Sequence, residues 1–185
     1  SPGRVLIQAG APAGLFYGGI TLRQLLPPEA VAIARPATPP ANGWRIPAVE
    51  IEDAPRFPWR GLLLDPARHF FPPEFIKRFL DLMALHKLNS LQLHLTDDQG
   101  WRLEIKRYPR LTAIGSVRRE SPRPGNRDAG DAKPYGPFFY TQRQIRDLVA
   151  YAQARHITLV PEIEIPGHFL GALAAYPELS CTGGP

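Results

Sequence analysis

From Arg60 onward the sequence predicts an α/β chain, a partial (β/α)8 TIM barrel, preceded by part of a small α+β domain. Three observations carry this expectation. Short apolar runs at GLLLD, LQLHL and ITLVPEIEI alternate with stretches of helical spacing, and such alternation implies parallel strands with right-handed crossovers. No glycine-rich phosphate loop joins one of these strands to a helix, which favours the barrel over nucleotide-binding forms of a doubly wound sheet. Each run also ends in polar residues, at the place where barrels gather their functional groups. A complete barrel takes roughly 250 residues, so the stretch from Arg60 to Pro185 is expected to hold about three of eight strands and to be truncated after the third.

The elements follow in order. Residues 1–54 read as the C-terminal part of the small α+β domain. VLIQA (Val5 to Ala9) is a candidate strand, GLFYGGITLRQLLPP places Leu15, Phe16, Ile20, Leu22, Leu25 and Leu26 roughly on one helical face, and Pro27-Pro28 stops that helix. An irregular ARPATPPANG leads to a second candidate strand at Ile46 to Ile51. Prolines at 55 and 58 mark a boundary, and residues 55–185 read as the N-terminal part of the barrel. GLLLD is apolar throughout, as a strand covered on both faces should be. Pro72-Pro73 opens a helix with Phe75, Ile76, Phe79, Leu80, Leu82, Met83 and Leu88 at helical spacing. LQLHL is the second strand, and a long irregular stretch follows it. Thr141 with Gln144 forms a capping-box pattern that starts a helix running to about Arg155, and ITLVPEIEI is the third strand.

Composition narrows the function. With 44% hydrophobic and 10% aromatic residues, 185 residues can bury a core. No apolar run is long enough to span a bilayer, and SPGRVLIQAG lacks a signal-peptide pattern, so the chain is expected to have lost a leader or its true beginning. Cys181 is the single cysteine, so no internal disulfide forms and no thiol chemistry is implied. A net charge of +5 and a pI near 9.7 would suit nucleic acid. The arginines are scattered, however, and four of them (Arg118, Arg119, Arg123, Arg127) share one Pro/Gly-rich loop, so no nucleic-acid partner is expected. The 22 prolines reflect codon bias rather than binding.

The chemistry gathers in three clusters: Asp65 to His69 in DPARH, His94 with Asp97-Asp98 in HLTDD, and Glu162, Glu164 and His168 in PEIEIPGH. Each also has a structural reading. Arg68 could pair with Asp65 on the surface, and Asp97-Asp98 before Gln-Gly could be a polar turn. Glu162 and Glu164 share one strand face, roughly 7 Å apart at about 3.3 Å per residue, and could form interior ion pairs with Arg60. His86 and His156 precede strands and read as structural, and Trp101 could simply cover its loop.

RGLLLDPARHF, HKLNSLQLHLTDDQGWRLEI with YPRLTAIGS, PYGPFFYTQ and LVPEIEIPGHF resemble, in order and spacing, the successive strand-end motifs of glycoside hydrolase family 20, the β-N-acetylhexosaminidases. LFYGGITLRQLLP resembles the later half of the small domain that precedes the barrel in that family. The resemblance implies a retaining, exo-acting enzyme on oligosaccharides or glycoconjugates ending in N-acetylhexosamine, with no metal and no organic cofactor. It also implies a periplasmic or secreted setting, because members acting on polymers or glycans are commonly exported. Arg68 matches the arginine that hydrogen-bonds hydroxyls of the terminal sugar, a task suited to a planar fork. Asp97 and His168 match an aspartate and histidine linked in series toward a catalytic glutamate, with the imidazole following the proton that the glutamate gives and takes back. Glu164 stands where many members carry Asp and is a candidate supporting residue. The nucleophile in the family is the substrate's own 2-acetamido oxygen, one of the known exceptions to the two-carboxylate scheme.

The family's Asp-Glu pair in a His-x-Gly-Gly-Asp-Glu setting does not occur in these 185 residues, and its pocket tryptophans also come from beyond them. The leading expectation is therefore a fragment of a β-N-acetylhexosaminidase. A non-catalytic carbohydrate-binding or degenerate barrel is the alternative, and the third reading is a metal-dependent hydrolase using His94, Asp97, Glu164 and His168. The sequence shows neither His-x-His nor His-Glu-x-x-His in support of the third. Asp97 is expected to project toward His168, within about 6 Å of its ring. Asp98 is expected to turn into the loop and accept backbone N–H groups around Gln99-Gly100.

Overall fold

The computed structural model describes residues 3–31, 40–123 and 126–183. It contains α1 (Pro12–Gln24), α2 (Pro28–Val31), β1 (Gly61–Leu64), α3 (Pro73–Leu85), β2 (Ser90–His94), β3 (Thr96–Asp97), β4 (Gly100–Trp101), α4 (Arg110–Ala113), β5 (Pro122–Arg123), β6 (Asn126–Gly130), α5 (Gln142–Gln153), β7 (Thr158–Glu162) and α6 (Leu170–Ala175), with a 3-10 turn at Pro177–Leu179. The alternation expected after Arg60 forms one parallel sheet in the order β1-β2-β7. Its register pairs Leu91 with Leu62 on one side and with Leu159 on the other.

The core lies where α3 and α5 cover this sheet. Ile76, Leu80 and Met83 of α3 recur at helical spacing and pack with Leu91 and Leu93 of β2, Leu148 and Ala152 of α5, and Ile157. Pro72 in extended conformation and Pro73 in the first turn start α3, where a missing N–H costs nothing. At the start of α5, Gln144 N donates to Thr141 Oγ1 (3.2 Å) while Thr141 N donates to Gln144 Oε1 (2.8 Å), the reciprocal box read from the sequence.

Three expectations need correction. Neither Val5 to Ala9 nor Ile46 to Ile51 forms a strand, because among the described residues neither has a neighbour to supply a ladder, and Val5, Leu6, Val49 and Ile51 are exposed. β1 is not covered on both faces: Leu62 and Leu63, on opposite faces, are 43% and 53% exposed, because among the described residues too little packs over this edge strand. The long stretch after β2 is not irregular, for it holds the antiparallel pairs β3–β4 and β5–β6 and the short α4. Most of the expected irregular ARPATPPANG, residues 34–39, lies outside the described residues, as do Pro124 and Gly125 of the arginine-bearing loop.

The helix expected to end at Pro27-Pro28 is α1, which closes at Gln24. It docks on the amino-terminal end of the sheet: Phe16 packs against the core, Gln24 Nε2 donates to Leu85 O (2.8 Å), and Lys87 Nζ donates to Thr21 Oγ1 (2.7 Å). Among the described residues no helix is long and apolar enough to cross a membrane.

Candidate active site

The carboxyl ends of the three parallel strands bring the polar clusters together at one mouth. β2 ends at His94, and after one residue the chain goes on as β3 and turns back as β4, pairing Thr96 with Trp101 and Asp97 with Gly100. This short hairpin aims Asp97 at the loops that follow β1 and β7. Leu95 N donates to Glu162 O (3.1 Å), and Ala67 N donates to His94 O (3.2 Å), so both loops are pinned to β2 by backbone bonds.

One oxygen is the centre of the arrangement. Asp97 is 2% exposed, and its Oδ2 lies 2.6 Å from Arg68 Nη2, 2.8 Å from His94 Nε2 and 3.3 Å from His168 Nδ1. Its other oxygen accepts from Asp98 N at 2.6 Å. A carboxylate with so many donors is compensated despite burial. Asp97 and His168 therefore meet within hydrogen-bond reach, inside the expected 6 Å. Arg68 serves both of its sequence readings, because Nη1 and the backbone N bind Asp65 at 2.8 and 3.0 Å while Nη2 binds Asp97. Burial opposes its charge, but the two carboxylates outweigh this and raise its pKa.

A deeper layer continues the pattern. β2 and β7 run in a register that sets His94 opposite Glu162, and His94 Nδ1 lies 3.1 Å from Glu162 Oε2, which also accepts from Gln92 Nε2 at 2.7 Å. Desolvation pushes the His94 pKa down, yet its bonds to Asp97 and Glu162 leave it raised. Desolvation pushes Glu162 up, and hydrogen bonding from Gln92 and His94 leaves it lowered. Glu164, the candidate supporting residue, has its carboxylate within 4.8 Å of the His94 and Glu162 ligand atoms, and its backbone N donates to Thr96 Oγ1 at 3.0 Å.

Two expectations fail here. Arg60 does not reach Glu162 or Glu164: it precedes β1, at the opposite end of the sheet, and donates to Lys87 O (2.8 Å) and Phe57 O (2.9 Å) beside the Tyr17 ring. Asp98 does not accept from Gln99 or Gly100. It is exposed and accepts instead from Leu170 N at 3.3 Å, at the first residue of α6, because the β3–β4 pairing leaves its side chain facing the loop after β7. The four residues of the metal reading are split between two groups, His94-Glu162-Glu164 and Asp97-Asp98-His168.

The sequence reading named His94 and Glu162 without joining them, and it missed Arg102. His94 and Glu162 were visible as polar residues on otherwise apolar strands, and the β2–β7 register that joins them was the missing fact. Arg102 carried no signal beyond a charge between Trp101 and Leu103. It is fully buried and donates to the carbonyls of Pro66 (3.2 Å), Ala67 (2.8 Å), Gln99 (3.2 Å), Ser116 (2.8 Å) and Phe138 (3.0 Å). Those carbonyls lie on the loop that carries Arg68, on the β3–β4 turn and on the segments flanking β5–β6. Desolvation, with the nearby Arg118 charge, lowers the Arg102 pKa to about 10, so it stays cationic at neutral pH. A Cβ at Gly100 would overlap the Arg102 guanidinium, so glycine lets it pass. Trp101 covers more than its loop: it packs with Leu111, Ala172 and Ala175 as a second cluster under α6.

Comparison with known proteins identifies the family. A β-hexosaminidase of Porphyromonas gingivalis is 50% identical over 168 residues, which is 91% of this chain and 20% of that protein. The structure of the Streptomyces plicatus N-acetyl-β-hexosaminidase in complex with Thio-NAglucal superposes with a TM-score of 0.78 at 42% identity, over 92% of this chain and 31% of that one. An exo β-N-acetylglucosaminidase from Vibrio harveyi, solved in complex with N-acetylglucosamine, gives a TM-score of 0.73 at 38% identity, over 92% of this chain and 25% of that one. The chain thus spans a third or less of these relatives. The model of the glycosyl hydrolase family 20 catalytic domain matches residues 57–184, and that of the family's domain 2 matches residues 1–54. With that match over most of its length and the strand-end mouth in place, the chain belongs to glycosyl hydrolase family 20.

Proposed function

We propose that the protein carrying this chain is a retaining, exo-acting β-N-acetylhexosaminidase that releases terminal β-linked N-acetylglucosamine or N-acetylgalactosamine by substrate-assisted catalysis. The convergence of Arg68, Asp97 and His168 on one buried oxygen carries the reading. Arg68 is half-exposed with its fork held by Asp65 and Asp97, so its outer N–H groups present fixed donors to adjacent sugar hydroxyls. His168 faces the mouth with Nδ1 on Asp97, which leaves Nε2 to meet a glutamic acid at the scissile bond. That acid, and the aspartate that orients the acetamide, lie outside residues 1–185 in this reading.

In this mechanism the glutamic acid protonates the leaving oxygen as the substrate's acetamide oxygen attacks the anomeric carbon. An oxazolinium-like species forms, and water opens it with retention. His168 tracks the proton on the glutamate, and Asp97 holds the imidazole in orientation. The resemblance further supports action outside the cytoplasm.

The test is hydrolysis of an aryl N-acetyl-β-glucosaminide by the full-length protein, with the anomer released first followed by proton NMR. The β-anomer is expected first. Sugar binding without hydrolysis would refute the reading in favour of a carbohydrate-binding barrel, and first release of the α-anomer would refute retention.

A further inference from the structure

His94 and Glu162 take no part in the steps above, yet they occupy the floor of the mouth. His94 is 4% exposed, and both ring nitrogens face carboxylate oxygens, Asp97 Oδ2 at 2.8 Å and Glu162 Oε2 at 3.1 Å. A neutral imidazole has one N–H and one lone pair, so in this position it would set its lone pair against an anion. An imidazolium satisfies both contacts, and Gln92 Nε2 holds Glu162 Oε2 in place at 2.7 Å.

We propose that His94 and Glu162 are a positioning pair that keeps one positive charge beneath Asp97 and so sets the pH range over which Asp97 and His168 work. The inference rests on the proposed hexosaminidase reading. Of the three donors on Asp97 Oδ2, Arg68 and His168 also face the mouth, where substrate and proton transfer disturb them. His94 touches neither. It is the donor that holds the carboxylate still through the cycle.

The charged groups around the His94 ring are Asp97 of β3, Glu162 of β7, Glu164 after β7 and Asp65 after β1. His168 stands edge-on at 5.8 Å between ring centroids, and Arg68 is joined through Asp97. The upward shift of His94 and the downward shift of Glu162 agree with a standing ion pair. The His94 and His168 rings, 5.8 Å apart, lie close enough for a charge on His94 to act on the coupled set. Removing that charge should move the alkaline limb of the activity profile upward by about 0.5 to 2 pH units, the range spanned by bulk-water and protein-like dielectrics at that distance. The limbs belong to the coupled set rather than to one residue.

The test uses the full-length protein. His94→Gln keeps a donor toward Asp97 without the charge, and Glu162→Gln removes the anion beneath His94. The pH dependence of kcat is measured for both, with thermal unfolding alongside. The expected result is an alkaline limb moved upward in His94→Gln and unmoved or lowered in Glu162→Gln. A purely structural pair would lower stability and kcat with the limb unmoved in both variants, and that result overturns the proposal. Should the variants fail to fold, 15N NMR of wild-type histidine ring nitrogens decides: both His94 nitrogens protonated near pH 7 supports the pair, and a neutral ring overturns it. If wild type lacks hexosaminidase activity, the functional reading fails, while the NMR measurement still judges the His94 charge separately.

Discussion

Replacing Asp97 by Asn removes a charge with almost no change of shape, so its cost can be worked from the contacts. Asp97 Oδ2 receives Arg68, His94 and His168 at 2.6, 2.8 and 3.3 Å. Breaking a buried charge pair typically costs about 3–5 kcal/mol. Two features bring the figure to the lower end: Arg68 is 44% exposed and keeps Asp65, so its share is screened, and His94 keeps Glu162. Asp97→Asn should therefore destabilise the full-length protein by about 3 kcal/mol in urea unfolding near neutral pH. The same substitution leaves His168 without an anionic partner and should lower kcat on an aryl N-acetyl-β-glucosaminide by about a hundredfold, on the order of a lost charge-assisted hydrogen bond. Asp98→Asn is the control. Asp98 is exposed and makes one 3.3 Å bond to Leu170 N, so its loss should cost about 0.5 kcal/mol and leave kcat nearly intact. Equal effects of the two substitutions on both measurements would refute the separation of roles.

Other perturbations probe other parts of the mouth. Arg68→Lys keeps charge but cannot bridge Asp65 and Asp97 with one planar fork, and kcat/KM should fall about a hundredfold with little loss of stability; unchanged kcat/KM would remove Arg68 from the sugar site. Arg102→Met strands the carbonyls of Pro66, Ala67 and Phe138, while Ser116 O keeps Phe138 N and Gln99 O keeps Arg118; at about 1–3 kcal/mol for each buried carbonyl without a partner, unfolding should be easier by at least about 3 kcal/mol, and a loss under about 1 kcal/mol in chemical denaturation would show that water replaces the guanidinium freely. Because the His94 pKa is raised above its ordinary 6.5, its contribution to stability is complete below that pH and is lost as pH rises through the folded value. Glu162 is lowered from 4.5, so its contribution is complete above that pH and is lost as pH falls through the folded value. Urea midpoints should accordingly be highest between about pH 4.5 and 6.5 and decline on the alkaline side, and Glu162→Gln should flatten that decline; an identical slope in the variant would contradict the linkage.

The legible part of the fold was the part in which local pattern and tertiary contact agree. Ile76, Leu80 and Met83 announce α3 by spacing, and the same side chains meet β2 in the core. Thr141 and Gln144 announce the start of α5 through bonds within one turn. Val5 to Ala9 and Ile46 to Ile51 have equally good strand composition, but a strand exists only through a partner, and no periodicity reports one. GLLLD shows the same gap from the other side: it pairs as expected, yet its burial depends on what packs over it rather than on its own residues.

The site divides along the same line. Arg68, Asp97 and His168 sit in motif-dense segments at the strand ends, where family resemblance singles them out. His94 and Glu162 lie 68 positions apart in the chain and are joined by strand register, which the sequence of each strand does not contain. Arg102 is harder still, because its partners are backbone carbonyls, present at every residue and therefore without a sequence signature. The resulting hierarchy is physical. A buried guanidinium fixes the loops through groups that any residue could supply, a buried imidazole fixes one carboxylate through charge, and the residues turned to the mouth inherit their geometry from both. Substitution at the mouth should therefore change catalysis more than stability, substitution at Arg102 should do the reverse, and Asp97, which belongs to both layers, should change the two together.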